Sequence, residues 1–160
     1  IDIMGALCML LFRVGWAKPV PIDPRYYRDR KKGIIYVSIA GPAANVILAF
    51  ASLLMEGVLF KIGSTDSKVI WVAYQLCYYS AVINIGLGMF NLIPVPPLDG
   101  SKLLGMLSYK ASEIYRKLHQ YWRIILIVLL VAGILSRPLN WLSDIILNLL
   151  WRIVRLLLRL

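Results

Sequence analysis

The stretch "NLIPVPPLDG", Asn91 to Gly100, decides how this chain is read. It holds three prolines and one carboxylate, yet it follows "YYSAVINIGLGMF" (residues 78–90), which has the composition of a helix in lipid. Proline removes a backbone donor and breaks a helix interior. An ionisable group at membrane depth is costly, and it marks a functional site by default. The segment therefore raises one question: what is Asp99 doing behind a broken apolar helix?

The rest of the sequence supports that setting. Of its 160 residues, 60% are hydrophobic and only 16% are charged. The mean hydropathy is +0.74. This lies well above the balance of a soluble domain and indicates an integral membrane protein. The net charge of +10 is explained by Lys and Arg clustered between apolar spans, which orient a chain in the bilayer. An anionic membrane surface is the implied partner. No basic face interleaved with aromatics is present, so no nucleic-acid partner is expected. Cys8 and Cys77 both lie in apolar stretches and form no CxxC pair. They read as small buried hydrophobes.

Working outward, residues 3–16 are apolar but too short to span, since a crossing helix needs ~20 residues. Residues 17–33 carry three prolines and six Lys or Arg and read as an extended connection. Within it "KPVPID" (residues 18–23) is a candidate edge strand. Residues 34–60 form one clear span. Pro42 is tolerated there because neighbours in lipid can satisfy the freed carbonyl. Gly41, Ala43 and Ala44 allow close helix approach, and Asn45 suits an interhelical hydrogen bond. Residues 69–93 form the second clear span.

Beyond the proline turn, "DGSKLLGMLS" opens a helix with Asp99 placed as its N-cap. Residues 109–120 are polar and interfacial, 121–136 give a shorter third span, and Pro138 breaks the chain. Residues 139–160 form an amphipathic or spanning C-terminal helix, with Arg152, Arg155 and Arg159 on one face. The basic segments 17–33 and 102–123 fall on one side of an antiparallel pair of spans. Their charge excess makes that side cytoplasmic. The expected fold is an all-α polytopic membrane protein: a transmembrane helix bundle with a short extended β connection near the N-terminus.

From the residues alone Asp99 can cap the following helix, pair with a base or ligate a metal. The wider pattern narrows this. Asn91, Pro94, Asp99 and Gly100 stand as N-x2-P-x4-D-G. Upstream are "AGPAAN" (Ala40 to Asn45) and "GWAKPVPIDP" (Gly15 to Pro24). Together these resemble the site-2 protease family of intramembrane zinc metalloproteases, small bacterial type, over roughly residues 1–105.

The resemblance implies a single membrane-embedded peptidase domain in the bacterial plasma membrane that cleaves a transmembrane protein substrate. It implies one zinc ion held by two histidines of an H-E-x-x-H helix and by Asp99. Zinc activates a water, and the glutamate takes its proton. Asn91, with Asn84 beside it, would hold the substrate or the developing oxyanion. Both asparagines equally suit helix–helix contacts.

The sequence contains no H-E-x-x-H, and its one histidine is His119. Neither Glu56 nor Glu113 has metal-ligand spacing. The chain is therefore expected to be the C-terminal portion of a longer protein and inactive alone. Two alternatives remain: a non-catalytic homologue that binds transmembrane helices, and a small ion transporter or channel subunit. The transporter reading predicts paired broken helices in two repeats, and one break and no repeat are found.

Overall fold

The computed structural model describes residues 27–62, 67–117 and 121–160. Lys31–Leu160 forms one folding unit. The first helix, α1, runs Arg30–Ile62 and the second, α2, runs Lys68–Asn91. Their lengths are 33 and 24 residues, or roughly 50 and 36 Å at ~1.5 Å per residue. Both are long and apolar enough to cross a membrane, as the sequence indicates. Pro42 lies inside α1 without ending it.

Residues 3–16 and "KPVPID" fall outside the described residues. The extended connection expected over 17–33 is corrected at its end, because Arg30–Gly33 already belong to α1. No strand occurs among the described residues. The helix extends past the apolar stretch because Arg30, Lys31 and Lys32 are good helix formers, and nothing before Gly33 interrupts them.

Two short helices follow the proline turn: α3, Asp99–Leu107, and α4, Tyr109–Lys117. They are joined at Ser108, whose backbone is extended, and they pack against each other. Helix α5 (Trp122–Val131) leads into α6 (Ser136–Leu158) through a bend of 76°. The bend centres on Gly133, whose positive φ of 66° suits a residue without Cβ. Pro138, expected to break the chain, instead sits in the first turn of α6. Its missing N–H costs nothing there. The break thus falls at the glycine, and the shorter span expected over 121–136 ends at Val131.

The core is a narrow seam. Ala49 and Leu53 on α1, Ala81, Ile85 and Met89 on α2, and Val154 on α6 are buried. Their spacing of four keeps each set on one helical face. Ser52 and Ser80 hydrogen-bond across the hairpin at 3.0 Å. Gly57 seats α6, since a Cβ there would meet Val154 and Leu158. Lys61 Nζ donates to the Leu158 carbonyl at 2.8 Å. So α6 runs parallel to α1 over their C-terminal halves. Most large apolar side chains point outward, among them Ile47, Met55, Phe60, Trp71 and Leu76. Water would oppose that surface, whereas a bilayer accepts it.

Candidate functional site

Helix α2 stops at Asn91 because the next residues cannot continue it. Pro94, Pro96 and Pro97 carry no N–H. The Leu92 amide still bonds back to Gly88 and Met89, and Ile93 to Phe90. The chain then turns tightly, with Val95 N donating to Ile93 O at 2.8 Å and Leu98 N to Val95 O at 3.0 Å. The Pro96–Pro97 bond is cis. The N-cap of α3 is Leu98, in extended conformation, and Asp99 is the first helical residue. This corrects the expected capping role. Asp99 Oδ1 instead accepts from Lys102 Nζ at 2.8 Å, and Ser101 Oγ donates to the Leu98 carbonyl at 2.7 Å.

Gly100 is required by this turn. A Cβ on it would run into the carbonyls of Leu92 and Ile93, so the returning helix end can approach the turn only at a residue without a side chain. That close approach sets Asp99 against α1. Asp99 Oδ2 lies 3.3 Å from where a Cβ on Gly41 would sit. Any larger residue at 41 would cover this oxygen. The other oxygen, Oδ1, accepts from Lys102 Nζ at 2.8 Å, and the Asp99 side chain is 26% exposed.

A second glycine completes the arrangement. A Cβ on Gly88 would lie 3.4 Å from both Asn45 Cβ and the Pro42 carbonyl oxygen. The "AGPAAN" face of α1 therefore packs on the Gly-rich end of α2 and against Asp99. Two of the three stretches quoted from the sequence converge in one place, and the third lies outside the described residues.

The two asparagines differ. Asn84 Nδ2 donates to the Ser80 carbonyl at 2.8 Å within its own helix. Asn91 lies in the last turn of α2 and is half-buried. They are seven residues apart and so face the same way. The turn is braced from α4, where Tyr115 Oη donates to the Pro94 carbonyl at 2.9 Å. Burial raises the Tyr115 phenol above its ordinary pKa. Gly41 is marked in the sequence as a point of close helix approach within "AGPAAN", but not as a neighbour of Asp99. Tyr115 carries no local signal, and Lys102 carries only its place three residues after Asp99, on the same helical face.

Among the described residues no three His, Cys, Asp or Glu side chains converge to hold a metal. Asp99 stands as a single carboxylate donor, and His119 lies outside the described residues. Among the described residues the site thus offers one hard oxygen ligand and not a full coordination set.

These features define a helical membrane protein with an acidic group at a broken-helix turn. A family model described as "Peptidase family M50" matches residues 59–133. "Putative zinc metalloprotease YwhC" of Bacillus subtilis is 31% identical over 114 residues, covering 65% of this chain and 48% of that protein. "Putative zinc metalloprotease MJ0611" of Methanocaldococcus jannaschii is 34% identical over 104 residues, covering 64% and 49%. "Zinc metalloprotease MJ0392" of the same archaeon is 35% identical over 74 residues, covering 46% and 20%. The chain spans about half the length of the first two relatives. No solved structure matches it significantly. The chain is thus similar to peptidase family M50 over residues 59–133 and to proteins named as zinc metalloproteases over a longer part of its length.

Proposed function

We propose that this chain carries the aspartate portion of an intramembrane zinc endopeptidase that cuts transmembrane segments of other proteins. The observation that carries the reading is the environment of Asp99. One carboxylate oxygen is held by Lys102 while the other faces Gly41, which leaves it uncovered. A monodentate carboxylate of this kind suits one position of a three-ligand zinc site. The relatives' printed names include zinc metalloprotease, which supports the metal. The remaining ligands and the general base would come from chain beyond these 160 residues, since no H-E-x-x-H occurs within them. Zinc, when bound, would supply an activated water at neutral pH.

Asp99 would hold the metal, and Lys102 would fix the carboxylate's orientation. Asn91, at the mouth of the broken helix, would hydrogen-bond the substrate carbonyl. The irregular backbone from Leu92 to Leu98 would line the wet entry that hydrolysis inside a bilayer demands. Multi-pass insertion in a bacterial plasma membrane, with the 102–123 segment cytoplasmic, would put Asp99 near the cytoplasmic face.

The test is Asp99→Asn in the full-length protein, assayed for bound zinc and for cleavage of a transmembrane reporter. Even outer-shell changes cost ~10–100-fold in metal affinity or activity, so loss of a ligand should remove both zinc and cleavage while insertion persists. Wild-type zinc content and cleavage would refute the assignment. Normal zinc with no cleavage in the unmutated protein would favour a non-catalytic relative that binds transmembrane helices.

A further inference from the structure

Glu56 is buried to 2% exposure at the opposite end of α1 from Asp99. It lies fifteen residues beyond Gly41, or roughly 22 Å along the helix. The Tyr74 hydroxyl donates a hydrogen bond to its carboxylate. The second oxygen, Oε2, is buried and has no hydrogen-bond partner among the described residues. A buried polar atom in lipid without a partner is costly in either protonation state. It should be satisfied by something that enters the space beside it.

That space is a cavity of ≈ 340 Å³ between α1, α2 and α6, lined by Glu56, Tyr74, Gln75, Tyr78, Asn148 and Trp151 among others. Its volume lies within the ~300–1,000 Å³ of small-molecule sites. One carboxylate with two phenol rings and an indole suits an organic ammonium, which pairs with the charge and is drawn to aromatic faces. Asn148 also lines a second cavity of ≈ 480 Å³, together with Arg152, Ile145 and Leu149. Carboxylate and guanidinium thus flank one asparagine, with aliphatic side chains beside the guanidinium. Glu56 lies six residues from the end of α1, about 9 Å at ~1.5 Å per residue. That depth lies within reach of a headgroup drawn slightly below the interface.

We propose that the two adjoining cavities bind the headgroup of a zwitterionic phospholipid. Its ammonium sits at Glu56 among Tyr74, Tyr78 and Trp151, and its phosphate sits at Arg152 and Asn148. The acyl chains run past Ile145 and Leu149 into the bilayer. The site is independent of Asp99 and would place an ordered lipid against the α1–α6 seam.

Native mass spectrometry of the full-length protein in detergent tests this with phosphatidylethanolamine and phosphatidylglycerol of identical chains. Phosphatidylethanolamine should be retained about tenfold better, equivalent to ~1.4 kcal/mol. Glu56→Gln should remove that preference. If that variant fails to fold, Arg152→Gln, at an exposed position, keeps the test. It should weaken phosphatidylethanolamine retention at least about threefold, a loss of ~0.7 kcal/mol. Phosphatidylcholine retained as well as phosphatidylethanolamine would support the ammonium assignment. Equal retention of phosphatidylethanolamine and phosphatidylglycerol, or unchanged preference in Glu56→Gln, would overturn it. So would a stoichiometric membrane protein whose lysine occupies the cavity in place of lipid.

Discussion

Gly41 on α1 and Asp99 at the start of α3 lie so close that a Cβ on the glycine would come within 3.3 Å of Asp99 Oδ2. The contact joins residues far apart in sequence and accounts for a glycine inside a membrane helix. Alanine is worth ~1 kcal/mol more than glycine in a helix interior, so the position forgoes stability for space. Gly41→Ala should therefore raise the thermal midpoint of the detergent-solubilised protein slightly. It should also push the Asp99 carboxylate by a few tenths of an ångström. Misplacement of a reacting group by 1 Å can cost ~10²-fold. Cleavage by Gly41→Ala should accordingly fall several-fold, and by Gly41→Leu on the order of 100-fold, with insertion unaffected. A Gly41→Leu protein that cleaves normally would disconnect Oδ2 from the chemistry.

Two other glycines give opposite signs under the same substitution. Gly100 faces the backbone carbonyls of Leu92 and Ile93, which cannot rotate out of the way. Overpacking of this kind costs typically ~1–3 kcal/mol. Gly86 lies in α2 with nothing within 4 Å of its notional Cβ, so alanine there should be neutral or stabilising by up to ~1 kcal/mol. Thermal unfolding of the two alanine variants in one detergent checks the pair. Equal midpoints would mean that the proline turn relaxes more freely than its hydrogen bonds suggest.

The legible part of this protein was whatever a local pattern could carry. Apolar run length located α1 and α2 to within a few residues, because a bilayer rewards continuous hydrophobicity. The proline cluster marked the break after Asn91. Residue type and position suit Asp99 as an N-cap, but the turn closes one residue early, at Leu98, because Gly100 lets the chain tuck beneath Leu92. Pro138 has the local signature of a breaker, but its place in the first turn of α6 depends on the bend at Gly133. The meeting of Gly41 with Asp99, and the gathering of Glu56, Asn148 and Trp151 around one cavity, lie beyond a local reading. Both follow from helix register, which no local periodicity encodes.

The asparagines separate by what they already bond. Asn84 spends its amide on the Ser80 carbonyl in its own helix, so Asn84→Ala should change cleavage by less than about twofold. A net intramolecular hydrogen bond is worth only ~0.5–1.5 kcal/mol, and its loss should appear as a small drop in midpoint. Asn91 stands at the helix end beside the turn, where a donor can reach a substrate. Removing one oxyanion donor costs ~10²–10³-fold in other enzymes. Asn91→Ala should fall toward the lower end of that range in turnover, with KM changed less. Equal effects at the two positions would return both to helix packing.

Tyr115 supplies the last test, because it braces the turn without touching the carboxylate. Its hydroxyl donates to the Pro94 carbonyl at 2.9 Å, and its ring lies near Gly105. Tyr115→Phe keeps the ring and removes one hydrogen bond, for an expected cost of ~0.5–1.5 kcal/mol. Burial raises the folded-state pKa of this phenol from the ordinary 10.0. The folded protein therefore holds that proton more tightly than the unfolded chain does. Its contribution is fully present below pH 10.0 and is lost as pH rises through the raised value. Unfolding midpoints measured from about pH 8 to about pH 11 should show the wild type losing its advantage over Tyr115→Phe only at the alkaline end. A difference that shrinks near neutral pH would point to another group, because no phenol whose pKa is raised titrates there.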